Sequence, residues 1–307
     1  MTIAAIFADW GTTNRRAWAV DRDGKVVDHR HDQEGLLGVQ DRAFKASFGH
    51  FVGDWLASSA ATVPVLMGGM VGSKLGWQEV PYLATPVALS ELPAQLARLP
   101  DLGTHPVRIV PGLSSRIEGR PDVVRGEECQ IYGLWLRDRS DRLCVLPGTH
   151  SKWCEIAGGR VTGFRTYMTG ELFAQLTGSG TLAQLMRADA PHDAEAFRLG
   201  LTASAEISAG GLLNRLFSVR TLGLFGELPP EALASYLSGI LIGSELRDAT
   251  SRSTLDGKLA IAVVGAPKMT GLYVDALKEL SIEAEAVEGD ALFRAALHHI
   301  AVTAKLI

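Results

Sequence analysis

The chain has 307 residues, a formal net charge of −4, 47% hydrophobic and 21% charged residues, and three cysteines. That length exceeds one compact core and predicts two domains, while the slight acidic balance excludes an electrostatic nucleic-acid binder. No apolar run reaches membrane-span length, Met1-Thr2-Ile3-Ala4-Ala5 does not read as a signal peptide, and Cys129, Cys144 and Cys154 read as reduced core thiols of a cytoplasmic protein, without metal-ligand spacing.

In chain order the pattern predicts strands at Ile3–Ala8, Arg15–Val20 and Lys25–Arg30, then a helix over Asp41–Ala57 with Asp41 as N-cap. A buried strand at Val63–Gly68, a Gly-rich loop, a helix over Ser90–Leu99 capped by Ser90, and a strand at Pro106–Pro111 follow. An amphipathic helix, Glu127–Leu136, is expected where the halves meet, near Gly119–Arg139. The second half opens as the first does, with strands at Leu143–Leu146, Lys152–Ile156 and Arg160–Tyr167. Helices are predicted over Gly170–Leu185, Asp193–Leu216 and Pro229–Thr250, then a strand Leu259–Val264, a helix Thr270–Leu280, a strand Glu283–Val287 and a helix Asp290–Val302. Meander strands followed by alternating helices and strands imply a mixed α/β sheet in each half.

The most informative feature is a turn written twice. Asp9-Trp10-Gly11-Thr12-Thr13-Asn14 and Pro147-Gly148-Thr149-His150-Ser151-Lys152 each follow a short apolar strand and precede a hairpin. Gly-Thr and Gly-Ser turns expose N–H groups and hydroxyls with no bulky side chain in the way, which suits phosphate oxygens. A carboxylate beside such a turn repels phosphate unless a divalent cation lies between, so Asp9 implies Mg²⁺. The chain has no Walker A sequence: Gly69-Met70-Val71-Gly72-Ser73-Lys74 lacks the Gly-Lys-Ser/Thr order, and the Rossmann and protein-kinase signatures are missing too. The loop Gly69–Tyr82 carries Gly72, Ser73, Lys74, Trp77, Gln78, Glu79 and Tyr82, a mixture that suits sugar recognition, against the alternative of a surface loop anchored by Trp77. His298-His299 is expected at the surface of the last helix, with no metal role.

These two turns resemble the first and second phosphate loops of the actin, sugar-kinase and heat-shock-chaperone superfamily, and Gly265-Ala266 resembles its adenosine loop. Together with Gly76-Trp77-Gln78-Glu79, Pro81-Tyr82, Arg125-Gly126-Glu127-Glu128 and Met168-Thr169-Gly170-Glu171-Leu172-Phe173, they resemble the 2-dehydro-3-deoxygalactonokinase family. The resemblance implies two actin-like (ribonuclease H-like) α/β domains, 1–125 on the sugar-acid side and 126–307 on the nucleotide side, with a nucleotide cleft between them and the last helix packing back towards the first domain. It implies ATP- and Mg²⁺-dependent phosphorylation of the terminal (C6) hydroxyl of 2-dehydro-3-deoxy-D-galactonate in the cytoplasm, with a homo-oligomer allowed. The rivals are another actin-fold sugar or sugar-acid kinase, an acyl kinase of acetate-kinase type, or a non-catalytic nucleotide-dependent binding protein.

On this resemblance Gly11, Thr12, Thr13, Gly148, Thr149, His150, Ser151, Lys152, Gly265 and Ala266 hold nucleotide, and Asp9 acts in catalysis through the metal. Sugar kinases of the superfamily place a catalytic Asp at a helix start before the second loop, where this chain has Gly126-Glu127-Glu128. Glu127 is preferred as base, with Glu128 and then Glu171 as alternatives. Gly72, Ser73, Lys74, Trp77, Glu79, Tyr82 and Glu171 are candidates for the sugar acid, and its carboxylate has Arg15, Arg16, Lys74 and Arg165 as unranked cations.

Overall fold

The computed structural model describes residues 2–59, 62–206, 211–252 and 260–307. Its strands begin with β1 (Ala5–Trp10), β2 (Arg15–Val20) and β3 (Val26–Asp32), followed by helix α1 (Phe44–Ser58). Next come β4 (Val65–Gly68), β5 (Leu83–Ala84), β6 (Val87–Ala88), β7 (Ala97–Leu102), β8 (His105–Ile109), β9 (Leu113–Ile117) and β10 (Arg120–Val124). Helix α2 (Glu127–Asp138) leads to β11 (Arg142–Leu146), β12 (Ser151–Ala157) and β13 (Arg160–Tyr167). Helices α3 (Thr169–Gly178), α4 (Gly180–Ala183), α5 (Ala194–Ala205), α6 (Leu212–Leu224) and α7 (Leu233–Ser251) precede β14 (Ala260–Gly265), α8 (Pro267–Glu279), β15 (Ala284–Glu288) and α9 (Gly289–Thr303).

Two compact units emerge. The first comprises 1–141, 154–164 and 289–307, and the second 142–153 and 165–288. The first unit therefore includes α2 and α9, and takes the middle of the β12–β13 hairpin from the later chain. Its main sheet runs β3-β2-β1-β4-β8-β7, and a smaller one runs β10-β9-β5. In the main sheet β1 pairs antiparallel with β2 and parallel with β4, which brings Asp9 opposite both Arg16 and Gly68. The core on one face of this sheet is aromatic: Trp10 stacks on Phe48 at 5.5 Å and meets Phe44 edge-on at 5.7 Å. In the second unit β11, β14 and β15 lie side by side and parallel, and Tyr273 and Leu277 of α8 pack in a core with Val145, Trp153 and Val263.

Several elements depart from the sequence expectation. The helix predicted over Ser90–Leu99 is a 3-10 stretch, Leu89–Gln95, followed by β7, because Pro93 lies inside it and cannot donate to a regular helix. Asp41 does not cap α1. It sits in a preceding 3-10 turn at φ 49°, and Ala43 occupies the N-cap. The hairpin β9–β10 was not anticipated; it turns through Glu118-Gly119, both at positive φ, the conformation that two-residue hairpin loops favour. The helix expected over Gly170–Leu185 is divided at Ser179, which is extended. In the helix expected over Asp193–Leu216, residues 207–210 lie outside the described residues, and α5 and α6 flank them. Leu259 also lies outside them, and β14 starts at Ala260. His298 and His299 are half-buried rather than exposed: His298 Nε2 donates to the Arg22 carbonyl at 3.1 Å, and His299 Nδ1 lies 3.0 Å from the Tyr132 hydroxyl.

All three cysteines are buried and free. Among the described residues no helix is long and apolar enough to cross a membrane.

Trp10 is fully buried next to Asp9, and its Nε1 donates to the Glu34 carbonyl at 3.0 Å. Trp10→Ala is expected to lower unfolding stability by about 3–5 kcal/mol, read as a shifted midpoint in urea with an unchanged slope.

Candidate active site

In the first unit the site is built at the carboxyl ends of β1 and β4. Two glycines make it possible. Gly69 (φ 96°) and Gly126 (φ 108°) have backbone conformations that side chains disfavour. A Cβ on Gly69 would lie 2.9 Å from Asp9 Oδ1, and one on Gly126 would lie 3.1 Å from the Gly69 Cα. The start of α2 is therefore pressed against the end of β4, next to Asp9.

Arg16 faces Asp9 across the β1–β2 pair. Its Nη2 donates to Asp9 Oδ2 at 2.5 Å, and its Nη1 to Asp290 Oδ1 at 2.5 Å. Burial raises the Asp9 pKa above its ordinary value against the pull of Arg16, and the charges of Asp290 and Glu127 push it the same way. Two carboxylates thus share this guanidinium and the Glu127 charge acts on one of them, a local negative charge that a divalent cation would offset. Among the described residues no group of three His, Cys, Asp or Glu side chains is set to hold a metal ion by itself. The donors fit Mg²⁺ in the way that ion usually binds, through one or two carboxylates together with substrate phosphates and water.

The first turn is pinned from behind. The carbonyls of Gly11, Thr12 and Thr13 accept from Leu36, Leu37 and Gly35 at 3.1–3.2 Å, and Thr12, Thr13 and Asn14 are exposed. With Asp9, Arg16 and His31 this turn lines a hollow of about 430 Å³.

The adjacent acids Glu127 and Glu128 have different environments. Glu128 is fully buried: its Oε2 accepts from the Gly126 N–H at 2.6 Å and its Oε1 from the Cys129 thiol at 3.7 Å. Burial, then the neighbouring Glu127 charge, pushes its carboxyl up to about 8. Glu128 is thus the enclosed member of the pair, its carboxyl partnered at the start of α2 itself. Glu127 is only partly buried and caps the Arg125 N–H at 2.9 Å through Oε2.

The loop after β4 is ordered by its own backbone: Gly72 N–H bonds the Gly69 carbonyl, Trp77 N–H that of Val71, and Val80 N–H that of Gly72. Ser73 is buried, Lys74 and Glu79 are exposed, and Trp77 is half-buried against the first unit's core, the anchoring role weighed for it above. The exposed Tyr82 ring lies under the guanidinium of Arg125 at 4.1 Å. Of the carboxylate cations proposed from sequence, Arg15 is consumed elsewhere. It is buried between Trp10 and Phe51 and bound to Asp32, Glu34 and Ser47. Arg165 belongs to the second unit, where its charge acts on Asp248 and Tyr167.

In the second unit Gly148, Thr149 and His150 form an exposed turn. Thr149 accepts from the Glu171 N–H at 2.9 Å, and His150 Nε2 lies 2.5 Å from Glu171 Oε2. Glu171, considered above as a base or sugar ligand, is thus a partner of the second turn. Lys152 Nζ donates to the His150 carbonyl at 2.8 Å. Ser151 is fully buried, and its hydroxyl donates at 2.6 Å to Glu245. Glu245 also accepts from Trp153 Nε1 at 2.7 Å, from the Tyr273 hydroxyl at 2.8 Å and from Thr169 Oγ1. One buried carboxylate therefore ties the second turn to α3, α7 and α8. Sequence reasoning missed it, although a single acid in the apolar run Tyr236–Leu246 was a visible signal. Gly265 lies beside the turn, since a Cβ there would be 3.9 Å from the Pro147 carbonyl oxygen. Gly148, Phe173, Ser238, Lys268 and Leu272 help to line a pocket of about 330 Å³.

The stability consequence of Glu128 has a definite sign. Unfolded, it loses its proton near 4.5; folded, near 8. The native state binds the extra proton between those values, so stability falls as pH rises through that window. Glu128→Gln lacks this slope, and its melting temperature relative to wild type is expected to rise from about pH 5 to about pH 8. Parallel melting profiles would show that Glu128 ionises freely in the fold.

The family model described as 2-keto-3-deoxy-galactonokinase matches residues 9–300. A protein of Rhizobium meliloti (strain 1021) named as a probable 2-dehydro-3-deoxygalactonokinase is 35% identical, covering 97% of both chains. The 2-dehydro-3-deoxygalactonokinase of Escherichia coli (strain K12) is 34% identical, covering 98% of both. The crystal structure of a Sinorhizobium meliloti protein named as a candidate for the same kinase superimposes with a TM-score of 0.87 at 33% identity, over 97% of this chain and 98% of that one. More remote solved structures, at 12% identity and TM-scores of 0.51 and 0.52, share the fold alone. The fold is the two-domain, actin-like α/β class expected from the sequence. The chain belongs to the 2-keto-3-deoxy-galactonokinase family.

Proposed function

We propose that this protein transfers the terminal phosphoryl group of ATP to the C6 hydroxyl of 2-dehydro-3-deoxy-D-galactonate, a step in galactonate breakdown. The observation that carries the proposal is family membership over nearly the whole chain. The buried free cysteines fit a reducing compartment, and we place the reaction in the cytoplasm.

The second unit is assigned to the nucleotide. The space next to Gly148 supports this: a Cβ there would meet nothing within 4 Å, and its φ is not positive. The protein itself does not need glycine at that point, whereas a phosphate chain lying against the backbone would. The pocket lined by Phe173, Lys268 and Leu272 is assigned to the adenosine. The first unit is assigned to the sugar acid, with Thr12 and Thr13 presenting donors to the transferred phosphoryl group. Mg²⁺, entering with ATP, would be held through Asp9 and would neutralise phosphate charge.

Glu127 is assigned as the base. It stands at the start of α2 on the Gly69–Gly126 contact and is the accessible member of the acidic pair. Phosphoryl transfer asks little covalent work of a protein, so its part is to orient the acceptor hydroxyl and take its proton as the bond to phosphorus forms.

ADP release in a coupled assay, measured with the C4-epimeric 2-keto-3-deoxy acids and with neutral sugars, tests the proposal. Turnover dependent on the galactonate-type acid is expected. Preference for a neutral sugar would point to another sugar kinase, and ATP hydrolysis indifferent to every acceptor would point to a nucleotide-dependent binding protein.

Glu127→Gln is expected to lower kcat by about a hundred- to ten-thousand-fold with little change in either KM, because an amide keeps the size but not the proton affinity. Unchanged kcat would remove it from the chemistry. Asp9→Asn is expected to lower kcat by orders of magnitude at saturating Mg²⁺ without loss of fold; near-normal turnover with a normal melting curve would free Asp9 of any role.

A further inference from the structure

Among the described residues Arg125 is a buried cation with no anion hydrogen-bonded to its side chain. Its side chain is only 7% exposed. Nη2 donates to the Val80 carbonyl at 2.7 Å, while Nε and Nη1 are buried and have no hydrogen-bond partner among the described residues. The acids next in sequence do not satisfy it: Glu127 Oε2 accepts from the Arg125 backbone N–H, and Glu128 accepts from Gly126 and Cys129. Ser73 is equally buried at 7%, and its hydroxyl also has no hydrogen-bond partner among the described residues. Both groups belong to one small region, since a Cβ on Gly72, the residue before Ser73, would lie 2.7 Å from Arg125 Nη1.

Buried polar groups in folded proteins are almost always satisfied, and an unpaired buried charge is costly. Here the guanidinium is nevertheless held in place, stacked on Tyr82 at 4.1 Å and tied to Val80. A fixed planar donor set with unpaired N–H groups matches a carboxylate, and a neighbouring hydroxyl adds one more donor.

We infer that Arg125, together with Ser73, binds the carboxylate of the sugar acid. This inference rests on the proposed kinase function. Arg125 and Glu127 leave the chain two residues apart, and a six-carbon keto acid carries its carboxylate and its terminal hydroxyl at opposite ends. The segment Arg125-Gly126-Glu127 thus addresses both ends of one substrate. Arg125 was not among the cations considered from sequence, because nothing in the sequence distinguishes an orphaned arginine from a paired one.

The test uses the full-length protein and compares initial rates on the sugar acid with those on its C1 amide. For Arg125→Gln the KM for the acid is expected to rise about a hundredfold, with the KM for ATP unchanged, and the wild-type preference for acid over amide is expected to vanish. Arg125→Lys should retain part of that preference. Ser73→Ala, a smaller change that serves if Arg125→Gln does not fold, should raise the acid KM several-fold and leave the amide KM alone. An unchanged acid KM in wild-type-like folded variants would overturn the assignment, as would equal losses on acid and amide. A rise confined to the KM for ATP would show that the anion is a nucleotide phosphate. Wild-type protein that turns over no 2-keto-3-deoxy acid at all would overturn the kinase proposal and this inference with it, whereas normal wild-type turnover with unaffected variants would overturn the inference alone.

Discussion

A carboxylate taken out of water must be given donors, a cation or a proton. The candidate site depends on how this chain meets that demand three times. Glu245 is given donors, four of them, from Ser151, Trp153, Thr169 and Tyr273. Asp9 is given a cation, Arg16, which it shares with Asp290. Glu128 keeps its proton. Each solution borders one of the candidate turns or the start of α2, and each occupies groups that would otherwise be free to bind a ligand. Ser151 is the clearest case: its hydroxyl belongs to the sequence of a phosphate turn, yet it serves to hold that turn in place.

The first unit adds a steric constraint to the electrostatic one. The start of α2 reaches Asp9 only because Gly126 lies against Gly69, and both are in conformations that L side chains seldom adopt. Successive residues on a helix point about 100° apart, so once Gly126 is seated the phase of the helix sends Glu128 inward and leaves Glu127 partly exposed. The two acids differ in burial because of one residue's step in helical phase, with no difference in composition.

Much of the fold was legible in the sequence. Short apolar runs at β1 and β11, each followed by a Gly-Thr turn, a strand and a hairpin, marked the duplicated opening of two α/β halves. The segment Ser90–Leu99 was misread because a short stretch with apolar residues three apart looks helical until its hydrogen bonds go to a neighbouring strand, here β8 for Ala97–Leu99. The Glu118-Gly119 turn was a readable hairpin signal, hidden by the expectation of a boundary between the halves. The site was legible as a set of turns and less so as a set of contacts. Asp9, Glu127 and the Gly148 turn were named from motif and spacing, whereas Glu245 and Arg125 were not, since their distinction is what surrounds them.

The sequence by itself determined the duplicated α/β plan, the two phosphate-type turns and the family, because these are written in local periodicity, in turn chemistry and in residue identities at fixed spacing. Only the tertiary structure decided which of two adjacent glutamates is accessible, which hydroxyl of a phosphate turn is turned inward, and which arginine lacks an anion. Those properties belong to burial and to partners far away in the chain. Ser151 meets Glu245 from another element, and Gly72, Tyr82 and Val80 surround Arg125. Burial sets the energetic consequence of every charge, and no stretch of sequence states where burial occurs until the chain has closed around it.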